Sequence, residues 1–205
     1  MNCNQEIEYR QKIDIKSLLI YNEEKMKIDE HFIDPRDNQR YKITKVGSQV
    51  WLAENLRFKT ERARSYEDDE SQVGKFGYLY DRADSRIVAP KGWRLPNNQD
   101  FECLETYIKE HSKNSVSSAL KSTTEWKKTQ YAEGNGVDEF GMNILPAGYR
   151  CMQGIPHGRG MYTAFWTSSG DDFFHVGSFY ELGSFNYDEI GDSMVGYVSI
   201  RLIKE

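Results

Sequence analysis

Three residues close together in the chain carry the side chains of acid–base chemistry: Asp171, Asp172 and His175. Carboxylates and an imidazole at such short spacing can share a proton, which general acid–base catalysis requires. The same stretch is rich in rings, with Phe173, Phe174, Phe179, Phe185 and Tyr187 interleaved with Gly, Ser, Asp and Asn. Aromatic anchors among small polar residues are the composition of an adaptable binding surface. Asp171, Asp172, Phe173, Phe174, His175, Phe179, Phe185 and Tyr187 are therefore the candidate ligand-binding residues, against the plainer reading that half of the rings face inward on strands. The loop Gly154-Ile-Pro-His-Gly158-Arg-Gly160 joins them as a second, glycine-rich part of the working surface; it does not match a dinucleotide fingerprint. No catalytic residue and no metal ligand set is assigned, and no cofactor is expected. The sequence contains no His-Glu-x-x-His, Gly-x-Ser-x-Gly, phosphate-binding loop or Cys-x-x-Cys. His31, His111, His157 and His175 are scattered, as surface or capping residues are. The acidic run Glu67-Asp-Asp-Glu70 lacks the spacing of a cation loop and reads as a solvated loop.

Composition narrows the partners. The chain has 205 residues and a net charge of −5, which argues against a dedicated nucleic-acid surface. No run approaches the roughly 18 apolar residues of a membrane span. The start, Met1-Asn-Cys-Asn-Gln5, has no apolar signal core, so no export signal is expected in the chain as given. Three cysteines, Cys3, Cys103 and Cys151, form neither a disulfide framework nor a zinc pattern, and free thiols are expected. Aromatic residues make up 13% of the chain, so rings must supply much of the core.

The elements that position these residues follow from pattern. Residues 1–32 are charged, lack Gly and Pro, and carry two short apolar clusters. They are expected to form an extension, strand or helix, that packs on the domain or mediates association. From Asp34 turn chemistry begins. Tyr41, Ile43 and Val46 precede Gly47, with Val50, Trp51 and Leu52 beyond it, the pattern of a hairpin. Asn97 or Asn98 is placed to cap a helix that runs to about His111 and buries Phe101, Leu104, Tyr107 and Ile108. A further helical turn is expected over Ser115–Lys121. Val176, Ser178, Tyr180 and Leu182 alternate as one face of a strand, and Tyr197–Ile203 reads as a closing strand with Val198, Ile200 and Leu202 on its apolar face. The expected class is α+β, with an antiparallel sheet, one or two early helices and long loops.

Several blocks stand in a fixed order: Asp34-Pro-Arg-Asp-Asn38, Trp51-Leu-Ala-Glu-Asn-Leu56, Gly77-Tyr-Leu-Tyr80, Gly92-Trp-Arg-Leu-Pro96, Leu145-Pro-Ala-Gly-Tyr-Arg150 and Phe165-Trp-Thr-Ser-Ser169. Together they resemble the Fibrobacter succinogenes major paralogous domain, a family of bacterial proteins, over about residues 33–205. The resemblance implies a C-type lectin-like fold, related to that of the formylglycine-generating enzymes, in which the chain ends meet and long loops are displayed on one side. Trp51, Trp93, Trp126 and Trp166 sit in or beside such blocks, which favours core packing over service as sugar platforms. The family carries Cys where this chain has Ala89, and Arg-Cys where it has Arg201-Leu202. The resemblance implies a bridge between those two positions, and here both partners are absent together. That paired absence weakens the inference to an oxidising compartment: the family is often exported, yet this chain is compatible with a cytoplasmic or phage-associated location. The oxidase chemistry of the formylglycine branch needs two late cysteines, and only Cys151 lies late. The sequence motifs of calcium-dependent sugar binding are missing too.

The expected function is a non-catalytic ligand-binding or display module that uses its C-terminal loops on a protein or carbohydrate ligand. In some C-type lectin-like proteins that region is diversified by a retroelement. The alternatives are an enzyme on a formylglycine-generating-like fold, with Asp171, Asp172 and His175 as its acid–base groups, and a structural or assembly protein, with residues 1–32 as a homo-oligomer contact.

Overall fold

The computed structural model describes residues 31–128, 134–169, 173–177 and 195–205. The chain divides into two units, residues 1–31 and 32–205, and every element below except the first residue of β1 lies in the second. The extension expected over residues 1–32 therefore lies almost wholly outside the described residues.

The expected hairpin is β2 (Arg40–Val46) and β3 (Gln49–Leu52), which follow a short β1 (His31–Ile33). Val46 faces Gln49 in the antiparallel register, so Gly47 and Ser48 alone make the turn. Gly47 has φ +59°, a conformation that a side chain resists and a tight hairpin demands. Two 3-10 turns follow, Tyr66–Asp68 and Glu70–Gln72, then the short helices α1 (Val73–Phe76) and α2 (Arg82–Ser85). After β4 (Trp93–Arg94) comes the one long helix among the described residues, α3 (Asn98–His111), and then α4 (Val116–Leu120). Asn97 caps α3: its side chain accepts from Asp100 N at 2.9 Å, and the Asp100 carboxylate accepts from Asn97 N at 2.7 Å. The remaining strands are β5 (Tyr149–Cys151), β6 (Pro156–His157), β7 (Tyr162–Trp166), β8 (Phe173–Gly177), β9 (Val195–Tyr197) and β10 (Ile203–Lys204).

Three sheets result, in the orders β1-β2-β3-β10-β4, β6-β5-β9 and β7-β8. β10 runs antiparallel to both β3 and β4, with Ile203 opposite Trp51 and Arg94. The last described strand thus closes the sheet that the first hairpin opens. The architecture is mixed α+β, with antiparallel sheets and few, short helices.

Among the described residues two large apolar clusters and a third, small one fill the domain. One of the large clusters joins Tyr41, Leu52, Leu56, Tyr80, Trp93, Trp166, Val198, Ile200 and Leu202. The other packs α3 and α4 on the sheet through Phe101, Leu104, Ile108, Leu120, Trp51, Trp126 and Phe165. All four tryptophans are buried, as their blocks implied. Three of the indoles also donate a hydrogen bond, Trp166 Nε1 to Tyr80 O at 2.7 Å, Trp126 Nε1 to Ile144 O at 2.9 Å and Trp51 Nε1 to Gln49 Oε1 at 3.3 Å. Leu202 is in the first cluster and Ala89 packs against it, so both positions that carry cysteine in the family are occupied by apolar side chains of one core. Cys103 and Cys151 are free, Cys103 exposed on α3 and Cys151 buried.

The closing segment departs from expectation. It divides into β9 and β10, and Ser199 and Arg201 are as deeply buried as Val198, Ile200 and Leu202. An extended segment covered on both sides has no solvent face, so alternation in the sequence reported two buried environments of different polarity rather than an inside and an outside.

Candidate functional site

The candidate binding residues are only partly placed. Phe173, Phe174 and His175 lie on β8, whose partners on β7 are Trp166, Phe165 and Ala164. A five-residue strand therefore stands where a loop was expected, because the register with β7 continues through residue 177. Asp171, Asp172, Phe179, Phe185 and Tyr187 lie outside the described residues, as does most of the alternating run Val176–Leu182. Of the histidines, His111 is exposed at the end of α3, stacked on Tyr107 at 4.0 Å, and His157 is exposed on β6. Among the described residues no group of three His, Cys, Asp or Glu side chains is placed to hold a metal ion. No described helix is long and apolar enough to cross a membrane.

The most polar part of the interior is a buried arginine. Arg201 is 1% exposed and has no carboxylate in contact among the described residues. Its guanidinium donates to Asn55 Oδ1 at 3.1 and 2.7 Å, to Leu52 O at 3.2 Å and to Met142 O at 2.5 Å. Burial pulls its pKa down to about 9, and the charges of Glu54 and Asp138 only partly offset this. Asn55 in turn donates to Phe76 O at 2.9 Å and Ser199 Oγ at 3.3 Å. Asn55 of the Trp51–Leu56 block and Arg201 of the closing segment are thus two halves of one sealed network that ties the hairpin to the chain's last turn. It has a structural role, since it is closed to solvent.

An open cleft of about 350 Å³ lies elsewhere, lined by Tyr66, Glu67, Phe76, Glu125, Lys127, Pro146, Arg159 and Gly160. Its floor rests on the small cluster of Phe76, Leu145 and Ala147. The block Leu145–Arg150 builds it. Gly148 has φ +73°, and a Cβ there would lie 2.6 Å from the Tyr66 ring and 2.5 Å from His157 O, so only glycine lets Tyr66 close in. Arg150 then clamps the turn that carries Glu67: it donates to Asp68 Oδ1 at 2.7 Å, to Ser65 O at 3.0 Å and to Gly154 O at 2.6 Å. Pro146 O accepts from Gly160 N at 3.0 Å, and Gly160 O from Lys127 N at 2.8 Å, which binds the walls together.

The charged side chains of the cleft are held differently. The Arg159 guanidinium lies 4.1 Å over the Phe76 ring centroid and 5.2 Å over that of Tyr66, and donates to Gln72 Oε1 at 2.8 Å. Glu125 is paired with Lys75 at 2.5 Å. The Lys127 ammonium and the Glu67 carboxylate have no partner among the described residues. Glu67 and Asp68 both adopt left-handed backbone, φ 58° and 59°, without being glycine. Two consecutive such residues store strain, which clusters where a side chain must be presented.

The acidic run is solvated, as expected, with all four residues exposed, yet three of its carboxylates are engaged. Asp68 pairs with Arg150, Asp69 caps the second 3-10 turn through Ser71 N, and Glu70 accepts from Tyr78 OH at 2.5 Å and Lys59 at 3.1 Å. Glu67 is the member left to the cleft. Sequence reasoning placed the Gly154–Gly160 loop on the working surface, and that loop contributes Arg159 and Gly160. It missed Tyr66, Glu67 and Lys127, whose role arises from contacts between segments far apart in sequence. The available signal was the Leu-Pro-Ala-Gly-x-Arg block, whose last glycine and arginine are both spent on shaping this cleft.

In comparison with known proteins, residues 44–204 match the family described as the Fibrobacter succinogenes major domain. No curated protein and no solved structure matches the chain.

Proposed function

The chain belongs to the Fibrobacter succinogenes major domain family, and from that premise we propose that it is a non-catalytic recognition module on a C-type lectin-like fold. The observation that carries the reading is the cleft of about 350 Å³, which brings a stacked arginine, two side chains with unanswered charge and a glycine-rich loop to one place. Pockets of this size take small ligands or single side chains of larger ones. The lectin-like fold draws support from β10, which returns the end of the chain to the sheet of the first hairpin. In this reading the blocks of the family are scaffold, and the segments between them carry specificity. Residues 170–194 are proposed as a second set of ligand contacts, with Asp171, Asp172, Phe173, Phe174, His175, Phe179, Phe185 and Tyr187 as the contacting side chains. That segment is where diversification by a retroelement would act, on a carbohydrate or protein ligand.

A chemical-shift screen of the isotope-labelled full chain tests the proposal. The probes are glucose, galactose, N-acetylglucosamine, acetate and alanyl-alanine. At least one should move amides of residues 66–67, 125–127 or 158–160, or of 170–194, saturably. Arg159→Gln should weaken a probe that moves the cleft, and Phe174→Ala or Tyr187→Ala one that moves residues 170–194, with the melting temperature nearly unchanged. Silence of both regions towards every probe would overturn the recognition reading.

A further inference from the structure

We propose that the cleft takes a small zwitterion of amino-acid or short-peptide chemistry, its carboxylate held by Arg159 and Lys127 and its ammonium by Glu67. This rests on the recognition reading and specifies the ligand of that same site.

The charges that line the cleft carry the argument. Lys127 and Glu67 have no partner among the described residues, and they have opposite sign. A ligand of one sign would satisfy one and be repelled by the other. In and against the cleft stand three cations, Arg159, Lys127 and Lys75, and three carboxylates, Glu67, Glu125 and Asp69, the last of which feels the Arg159 charge. A balanced lining favours a ligand that is itself neutral but dipolar, and disfavours a multiply charged anion such as phosphate.

Both ends are held before any ligand arrives. Arg159 is fixed by two rings and by Gln72 Oε1, an arrangement that uses Nη2 and leaves Nε and Nη1 without a partner among the described residues. A planar guanidinium with a free edge suits a carboxylate. The stem of Lys127 runs along Gly160, where its Cε lies 2.9 Å from the place a Cβ would take. Glu67 is held in left-handed backbone by a turn that Arg150 clamps on both sides, through Ser65 O and Asp68. Arg159 then needs little side-chain ordering on binding, and the turn that carries Glu67 is already set. Phe76, Tyr66 and Pro146 provide apolar contact for the body of the ligand.

Three probes separate the two charges. Alanyl-alanine carries both, its N-acetyl derivative only the carboxylate, and its amide only the ammonium. Titrated into the labelled full chain, the free dipeptide should shift the amides of Phe76, Lys127 and Gly160 saturably. Each blocked form should bind more weakly by up to about fivefold, the upper range of one exposed charge pair. Glu67→Gln should abolish the preference over the N-acetyl form, and Lys127→Gln should narrow the preference over the amide. Both side chains are exposed, so the melting temperature should not change in either variant. The proposal is overturned if the blocked forms bind as well as the free dipeptide, if the variants keep the wild-type preferences, or if the dipeptide moves none of these amides. Should a sugar then move the cleft where the dipeptide does not, the zwitterion assignment falls and the recognition reading stands.

Discussion

At the scale of single residues, the same physical rule separates scaffold from surface in this protein. A polar side chain whose hydrogen bonds are made inside the fold does structural work, and one whose charge is left open to solvent is available to a ligand. Arg201 represents the first kind. Its guanidinium is closed in by Asn55 Oδ1 and the carbonyls of Leu52 and Met142. Asn55→Ala would remove the acceptor of two of those bonds and leave part of a buried cation without a partner. Hydrogen bonds to charged groups contribute about 1.5–3 kcal/mol, so a loss on the order of 3 kcal/mol is expected in urea unfolding. A loss below about 1 kcal/mol would show that the remaining carbonyls suffice. Glu67 and Lys127 represent the second kind. They were legible as charged residues but not as a pair, since nothing in their spacing announces that a turn at 66–68 and a segment at 125–127 share a cleft.

Elements in this domain are short, and their ends decide where they sit. α3 is the exception in length, and its start is defined by the reciprocal bonds of Asn97 and Asp100. Arg94 adds a fork to the same carboxylate, at 2.6 and 2.9 Å, so the cap also joins β4 to the helix. Asn97→Ala should cost about 1 kcal/mol by thermal or urea unfolding, and Asn97→Asp or Ser should recover most of it. An unchanged midpoint would mean that Asp100 and Arg94 hold the helix start alone. The helix and the hairpin at Gly47 were readable because both rest on local rules, a cap and a two-residue turn. The strand β8 begins at Phe173, ahead of the alternating run expected from Val176, because its pairing with β7 starts opposite Trp166, and alternation alone does not say where a strand finds its partner; the rest of that run lies outside the described residues.

For the whole molecule, stability towards acid tests the paired carboxylates. Asp34 is fully buried; burial pushes its carboxyl up, but hydrogen bonds from the Arg36 side chain and backbone, and the Arg36 charge, outweigh this and hold it below its ordinary value. Asp100 is held low in the same way, burial being overcome by Arg94 and by Asn97 N. A carboxyl whose pKa is lower in the folded state contributes stability that is full above its unfolded pKa and is lost as pH falls through the folded one. Asp138 works in the opposite sense: burial raises its pKa, so its contribution worsens as pH rises through the ordinary carboxylate range. Unfolding free energy should therefore fall as pH drops below about 4, and Asp34→Asn should be less stable at pH 7 and show a shallower acid slope. An equal slope in wild type and variant would show that Asp34 is not a source of the acid sensitivity.

The sequence by itself determined the α+β class, the hairpin, the capped helix, the burial of the four tryptophans and the membership of the family, because each of these rests on local pattern or on blocks read in order. Tertiary structure alone decided that Asn55 and Arg201 seal one network, that the closing segment is covered on both faces, and that Tyr66, Glu67, Lys127 and Arg159 line one cleft. The physical reason is distance along the chain. Capping, turns and alternation act over two to four residues and leave a mark in composition, whereas an unanswered charge becomes a binding group only when segments 30 or more residues apart are folded against one another.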